Sequence, residues 1–376
     1  MLLPSVLASV LGASAALAAA TPNVTKSAAN STTPKENIPN LDVTSKFFDL
    51  PDFKFNSGES IAKLRQHYFT LGTPQRNQDN KTTNAVLIMH STGARGSQFL
   101  FPPFAAELFL PGQPLDALKY FIILPDAIGH GNSSKPSDEL RARFPRYGYQ
   151  DIVRATHELV KQELGVDRLR LVMGGGMGGM NSWQWAGMFP DEVDAVFPMV
   201  SLPTPIGGRL AMGFKMGIDA IQSDPAYKGG DYVEQPLLGL TNAVNVDLLV
   251  SSVPAEVQKL APDGKTAVNI LETFRNKTLP KIDANNLVYQ WSAASDFDAR
   301  RLLGNITAPL VAVNSADDPL TPVELGTLEA SVKEVANGSS FIIPTSSKTM
   351  GHLTFLLAGL YKDKLAKLLE DTQPKR

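Results

Sequence analysis

The stretch Gly174-Gly175-Gly176-Met177-Gly178 follows the apolar run Leu169 to Met173 and precedes a helix-like segment. Small residues around a central position suit a sharp strand-to-helix turn, because the helix must pack close to the strand. Such a turn presents its tip residue to a substrate, and the helix N-terminus behind it favours developing negative charge. Here the tip is Gly176, which has no side chain to react. Further along, VAVNSADDPLTP ends an apolar run with Asp317 and Asp318, and TMGHLTF places His352 before a closing apolar segment. An elbow, then an acid, then a histidine is an order in which an acid can orient an imidazole toward the tip. Asp318, directly before Pro319, is the expected acid, with Asp317 as the alternative. Turn and capping chemistry competes for both aspartates. An ordinary helix N-terminal position competes for His352.

The other chemical groups are weaker candidates. MHSTGARG follows the apolar run Ala85 to Met89, so backbone N–H groups of Thr92 and Met177 are the expected oxyanion donors. His90 and His130 are expected to shape loops, His157 to sit on a helix, and His67 to lie in a strand-like segment. They form no HExxH and no metal cluster. A glycine-rich strand–turn–helix can also cradle a dinucleotide phosphate. This one lies mid-chain and lacks a clear acidic residue after the next strand, so no cofactor is expected. Ser182 falls well into the helix, whereas Ser91 or Thr92 could supply a relocated hydroxyl.

Continuous apolar runs at Ala85 to Met89, Phe121 to Leu124, Leu169 to Met173, Ala195 to Val200, Leu310 to Val313 and Phe341 to Ile343 suggest strands buried on both faces. Asp151 to Leu164 carries an apolar face and is stopped by Gly165, and Leu353 to Leu369 reads as a closing helix. Alternating strands and helices predict a mostly parallel, doubly wound α/β sheet. Residues 203–300, rich in Pro, Gly and polar turns, interrupt that rhythm as an inserted helical cap. The core is then split into residues 56–202 and 301–376.

Residues 1–20 carry no charged side chain and end in three alanines, the pattern of a cleaved signal peptide, with an uncleaved anchor as the alternative. Residues 21–55 are expected to form a flexible leader. Sequons begin at Asn23, Asn30, Asn80, Asn132, Asn276, Asn305 and Asn337, as in a secreted glycoprotein. No later stretch is apolar enough to span a membrane. The absence of cysteine excludes disulfides, thiolate metal sites and cysteine nucleophiles, and a net charge of −2 gives no reason to expect nucleic acid.

YFTLGTP, NAVLIMHSTGARG, DIVRATHELVKQELGVDRLRLVMGGGMGGM, FPDEV and AIQSDPAYKGGDY together resemble the homoserine O-acetyltransferase branch of the α/β-hydrolase superfamily. The resemblance covers most of residues 60–360. It implies an α/β-hydrolase fold with a helical cap over the site, acyl transfer in the ancestry, and a cap through which a homodimer can form. In that family the elbow reads GGSMGG, so Gly176 stands where the resemblance expects a serine. The family also has an arginine shortly before the AI of its cap motif, where this chain has Ile218 and Asp219, and an aspartate after the histidine, where this chain has Leu353. Those charges hold an amino acid, so their loss argues against homoserine as substrate.

Met173, Met177, Met180, Met199, Met212 and Met216 flank the elbow and cap, either as core or as an adaptable apolar ligand site. The leading expectation is a hydrolase- or acyltransferase-like enzyme that acts on a small apolar ester or carbonyl compound through Asp318 and His352, without an elbow serine. A non-catalytic small-molecule binder and an isomerase, cyclase or lyase are the alternatives. A single base change converts a serine codon to glycine, so an allelic change is a further explanation of Gly176.

Overall fold

The computed structural model describes residues 41–372. The expected signal peptide, the beginning of the leader, and the sequons at Asn23 and Asn30 lie outside them. Among the described residues a single eight-stranded sheet runs in the order β1-β2-β4-β3-β5-β6-β7-β8. Its strands are β1 (Val43–Lys54), β2 (Ser60–Leu71), β3 (Ala85–Met89), β4 (Phe121–Pro125), β5 (Leu171–Gly175), β6 (Val196–Met199), β7 (Leu310–Ser315) and β8 (Gly338–Ile343). The first two strands are antiparallel, and β3 to β8 run parallel.

The unbroken apolar runs follow from this layout. Val86, Ile88, Ile122 and Leu124 pack on one face, where helices α1 (Pro102–Leu108) and α10 (Lys362–Asp371) lie, with Phe104 and Leu365 among their contacts. Leu87, Met89 and Ile123 face the other side, against α2 (Tyr149–Glu158) and α3 (Met177–Met188), through Ile152 and Trp183. A strand covered on both faces needs apolar residues at every position.

Between β6 and β7 the chain leaves the sheet and builds helices α4 (Gly208–Ser223), α5 (Leu237–Ser251), α6 (Pro254–Leu260), α7 (Gly264–Thr278) and α8 (Ala284–Ala293). Ile221, Leu240 and Trp291 give them a small core of their own. The remaining helix, α9 (Thr327–Val332), connects β7 to β8. No single helix among the described residues is long and apolar enough to cross a membrane.

Three elements differ from expectation. The leader does not extend to residue 55, because Val43–Lys54 is a strand paired along its length with β2. Its exposed, charged sequence hides that pairing, as edge strands commonly do. The helix expected over Asp151 to Leu164 begins at Tyr149 and loosens into a π turn at Leu159–Glu163. The closing helix is broken into 3₁₀ turns at Gly351–Leu356 and Ala358–Leu360 before α10 begins. Gly359 weakens a continuous helix there, and the break seats the Phe355 ring against Gly175.

Candidate active site

The carboxyl ends of β3, β5, β7 and β8 lie on one side of the parallel sheet, where α/β sheets bind ligands. Gly175 ends β5, and Gly176 turns the chain at φ 56 and ψ −117 into α3. Gly178 packs against the Met89 carbonyl so closely that a side chain cannot fit, which accounts for a glycine at the second position of the helix. A Cβ at Gly176 would stand 3.0 Å from His352 Nε2 and 3.3 Å from Ser91 Cβ. The elbow is therefore formed, its tip faces the imidazole, and a side chain at the tip would be in close contact with His352 and Ser91.

Of the two candidate acids, Asp318 meets the histidine. His352 Nδ1 lies 2.8 Å from Asp318 Oδ2, which also accepts from Thr321 Oγ1 at 2.7 Å, while Oδ1 accepts from the Leu320 N–H at 2.9 Å. Burial pushes the Asp318 carboxyl up, but the nearby imidazole and these hydrogen bonds outweigh it and hold the carboxyl below the usual range. An ionised acceptor at Nδ1 fixes the proton there and leaves Nε2 as an acceptor toward the tip. Asp317 does not touch His352. It accepts from Ser315 Oγ and from the Gly351 N–H, so it shapes the loop that carries the histidine.

Thr92 and Met177 line the same cavity as His352. Met177 opens α3, so its N–H is one of the four that a helix cannot satisfy. Thr92 lies in a turn closed by Ala94 N–H to Ser91 O at 3.1 Å, which does not use its own N–H. Ser91 stands beside the tip, but its hydroxyl donates to Gln98 Oε1 at 3.2 Å and accepts from Gln98 Nε2 at 2.9 Å. Ser182 bonds the Gly178 carbonyl inside the helix, away from the tip.

The remaining histidines have local partners. His90 Nδ1 donates to Ser91 O, and its Nε2 accepts from the Ala127 N–H, tying β3 to the loop after β4; burial lowers its pKa and keeps it neutral. Burial takes His130 down to about 3, and it bonds the Ile128 carbonyl. His157 pairs with Glu192 and stacks on Phe189. His67 Nδ1 contacts Asp126 Oδ2 at 2.8 Å, and its Nε2 meets Ser45 Oγ at 2.8 Å. This serine–histidine–aspartate chain was not legible in the sequence, because its members come from β1, β2 and the loop after β4. Neither Ser45 nor His67 lines the cavity.

The cavity, about 370 Å³, lies between the elbow and the cap. The stacked rings of Phe214 and Trp291, together with Val244 and Leu287, give it an apolar wall. The methionines do not form one lining. Met177 and Met180 reach the cavity, Met173 and Met199 are buried in the sheet core, and Met212 and Met216 lie exposed on the outer face of α4. Missed at the sequence level is Asp247, which also lines the cavity as the only charged residue of α5. No group of three or more histidine, aspartate or glutamate side chains that could hold a metal occurs among the described residues. Of the sequons, Asn80, Asn276, Asn305 and Asn337 are exposed, whereas Asn132 lines the cavity and its N–H is bonded to Asp126.

Comparison with known proteins gives the same frame. The α/β-hydrolase fold family matches residues 84–337. A homoserine O-acetyltransferase of Leifsonia xyli subsp. xyli is 28% identical over 318 residues, covering 74% of this chain and 78% of that protein. A probable acyltransferase of Methanothermobacter thermautotrophicus is 25% identical, over 76% of this chain and 86% of its own length. Among solved structures, homoserine O-acetyltransferase from Bacillus anthracis superposes with a TM-score of 0.75 at 23% identity, covering 87% of this chain and 97% of that one. An acetylester hydrolase from Corynebacterium glutamicum gives 0.73 at 22% identity, covering 87% and 96%.

Proposed function

This chain belongs to the α/β-hydrolase fold family and resembles its homoserine O-acetyltransferase-like branch, and we propose that it hydrolyses a small ester through the Asp318–His352 pair acting on water. The observation that carries this is the approach of His352 to a cavity-lining tip without a side chain: an atom at the Cβ position of Gly176 would lie 3.0 Å from Nε2, hydrogen-bonding distance for a water oxygen. A water there can give a proton to Nε2 as its oxygen attacks the ester carbonyl. The new oxyanion would be held by the N–H groups of Thr92 and Met177. Collapse breaks the bond to the alkoxide, which takes the proton back from Nε2. The products are an acid and an alcohol, and no covalent intermediate forms.

General-base catalysis of this kind is worth about 10²- to 10⁴-fold, and an oxyanion donor about 10²- to 10³-fold. Together they support a modest esterase without a nucleophilic side chain. The cavity's size suits a small-molecule substrate. Secretion and glycosylation belong to the same proposal, supported by the exposed sequons at Asn80, Asn276, Asn305 and Asn337.

Turnover of short-acyl nitrophenyl esters by the native chain and by Asp318→Asn tests the catalytic proposal. Asp318→Asn removes the charge that orients His352 and is expected to cost at least 100-fold. Equal rates in both proteins would overturn it.

A further inference from the structure

Helix α5 has the sequence LLGLTNAVNVDLLVS, so Asp247 is its only charged side chain. Val244, Asp247, Val250 and Ser251 form the stripe of this helix that lines the cavity. The Asp247 backbone carbonyl accepts from Ser251 Oγ at 2.7 Å, but its carboxylate has no hydrogen-bond or ion-pair partner among the described residues. The fully buried aspartates, by contrast, are satisfied. Asp126 accepts from the N–H groups of Gly96 and Asn132 and contacts His67. Asp151 accepts from those of Asn56 and Gly148, and Asp224 from those of Ala226 and Gly239.

Asp247 is half-buried on the cavity wall, and its carboxylate oxygens keep accessible surface there. Burial alone raises its pKa to about 6, with no cation to offset the cost. The other charged groups lining the cavity are engaged. Lys135 is paired with Asp138, Arg95 and Lys281 have partners, and Asp283 accepts from Tyr232 and Gln235. A carboxylate held unpaired on a cavity wall is free to take a cationic partner that enters the cavity.

We propose that Asp247 is the recognition point for a protonated amine, so that the esters taken by this site carry an ammonium group on the part of the molecule that reaches the cap. The inference rests on the ester-hydrolase proposal for the chemistry at His352, but not for the binding itself. The Phe214–Trp291 pair, with ring centroids 5.2 Å apart, lines the same cavity and offers an aromatic face to a cation. An apolar wall with one unpaired acid discriminates by charge, because a neutral isostere leaves the carboxylate as it was.

Calorimetric titration of the full chain with hexylammonium chloride and with hexan-1-ol at pH 8 tests this without turnover. The ammonium is expected to bind at least tenfold more tightly than the alcohol. Asp247→Asn should erase that preference while leaving alcohol affinity within twofold, and Asp247→Leu gives the same comparison with a second side chain. Equal affinity in the native chain, failure of both probes to bind, or a preference that survives both substitutions would overturn the proposal. A native protein that prefers the ammonium yet turns over no ester would overturn the hydrolase proposal and leave this one standing.

Discussion

Two histidine–aspartate pairs in this chain share the same 2.8 Å contact, His67 with Asp126 and His352 with Asp318. The first has a serine at the far nitrogen of its imidazole, the second a glycine beside it. Counted by side chains, the first is the complete relay. Its surroundings make it a clamp. Ser45 lies on the exposed edge strand, and Asp126 also accepts from the Gly96 and Asn132 N–H groups. Ser133 accepts from the His67 N–H and donates to the Asp126 carbonyl, so the group ties β2 to the loop that follows β4. The second pair lacks the serine but opens on a cavity, beside a helix N-terminus. Under the proposed function, donors, a cavity and an imidazole nitrogen that faces it mark a reaction site better than three residue types in contact.

Removing each imidazole gives the largest test of that contrast. His352→Ala should lower ester turnover by about 10²- to 10⁴-fold, beyond any loss of stability from taking one partner from the buried Asp318 carboxylate. His67→Ala should leave turnover near native and cost about 1–3 kcal/mol in denaturant unfolding, because it takes one partner from the buried Asp126 carboxylate, which keeps the Gly96 and Asn132 N–H groups. Loss of turnover in a folded His67→Ala protein would put the chemistry at the wrong pair.

Asp247→Asn sharpens the comparison with a half-buried acid whose carboxylate has no partner among the described residues. Its carboxyl ionises near 3.8 in the unfolded chain and near 6 in the folded one. The fold therefore carries no penalty below the unfolded value and bears the full one once pH rises through about 6. Asp247→Asn is expected to raise stability by about 1–3 kcal/mol at pH 8 and to change little at pH 4. Thermal melts at the two pH values check the sign. The smallest effect belongs to Ser45→Ala, which should cost no more than about 1 kcal/mol and leave turnover unchanged.

Much of the fold was legible because its strands are covered on both faces, and covered strands leave uninterrupted apolar runs. The run at Ala85 to Met89 is β3 to the residue. Strand β1 was not legible, because an edge strand with Lys46, Asp49 and Lys54 exposed carries no such run. At the site, the tip, the acid and the histidine could be found because a sharp turn needs glycine and the acid–histidine order is linear in sequence. Choosing Asp318 over Asp317 depended on the turn at Pro319, and the structure supplies the contact. Asp247 and the His67–Asp126 pair could not be found this way. A lone acid in an apolar helix and two residues 59 positions apart become meaningful only when the chain folds them against a cavity or each other.

The most direct measurement is the intact mass of the protein quenched during ester turnover, for the native chain and for Gly176→Ser. Serine at φ 56 is strained, by about 1–3 kcal/mol, but its hydroxyl would face His352. Turnover by the native chain with no added acyl group, and an acyl group retained on Gly176→Ser, is the expected result. An acyl adduct on the native chain, at Ser91 or any other hydroxyl, would contradict water activated by His352 at a glycine elbow.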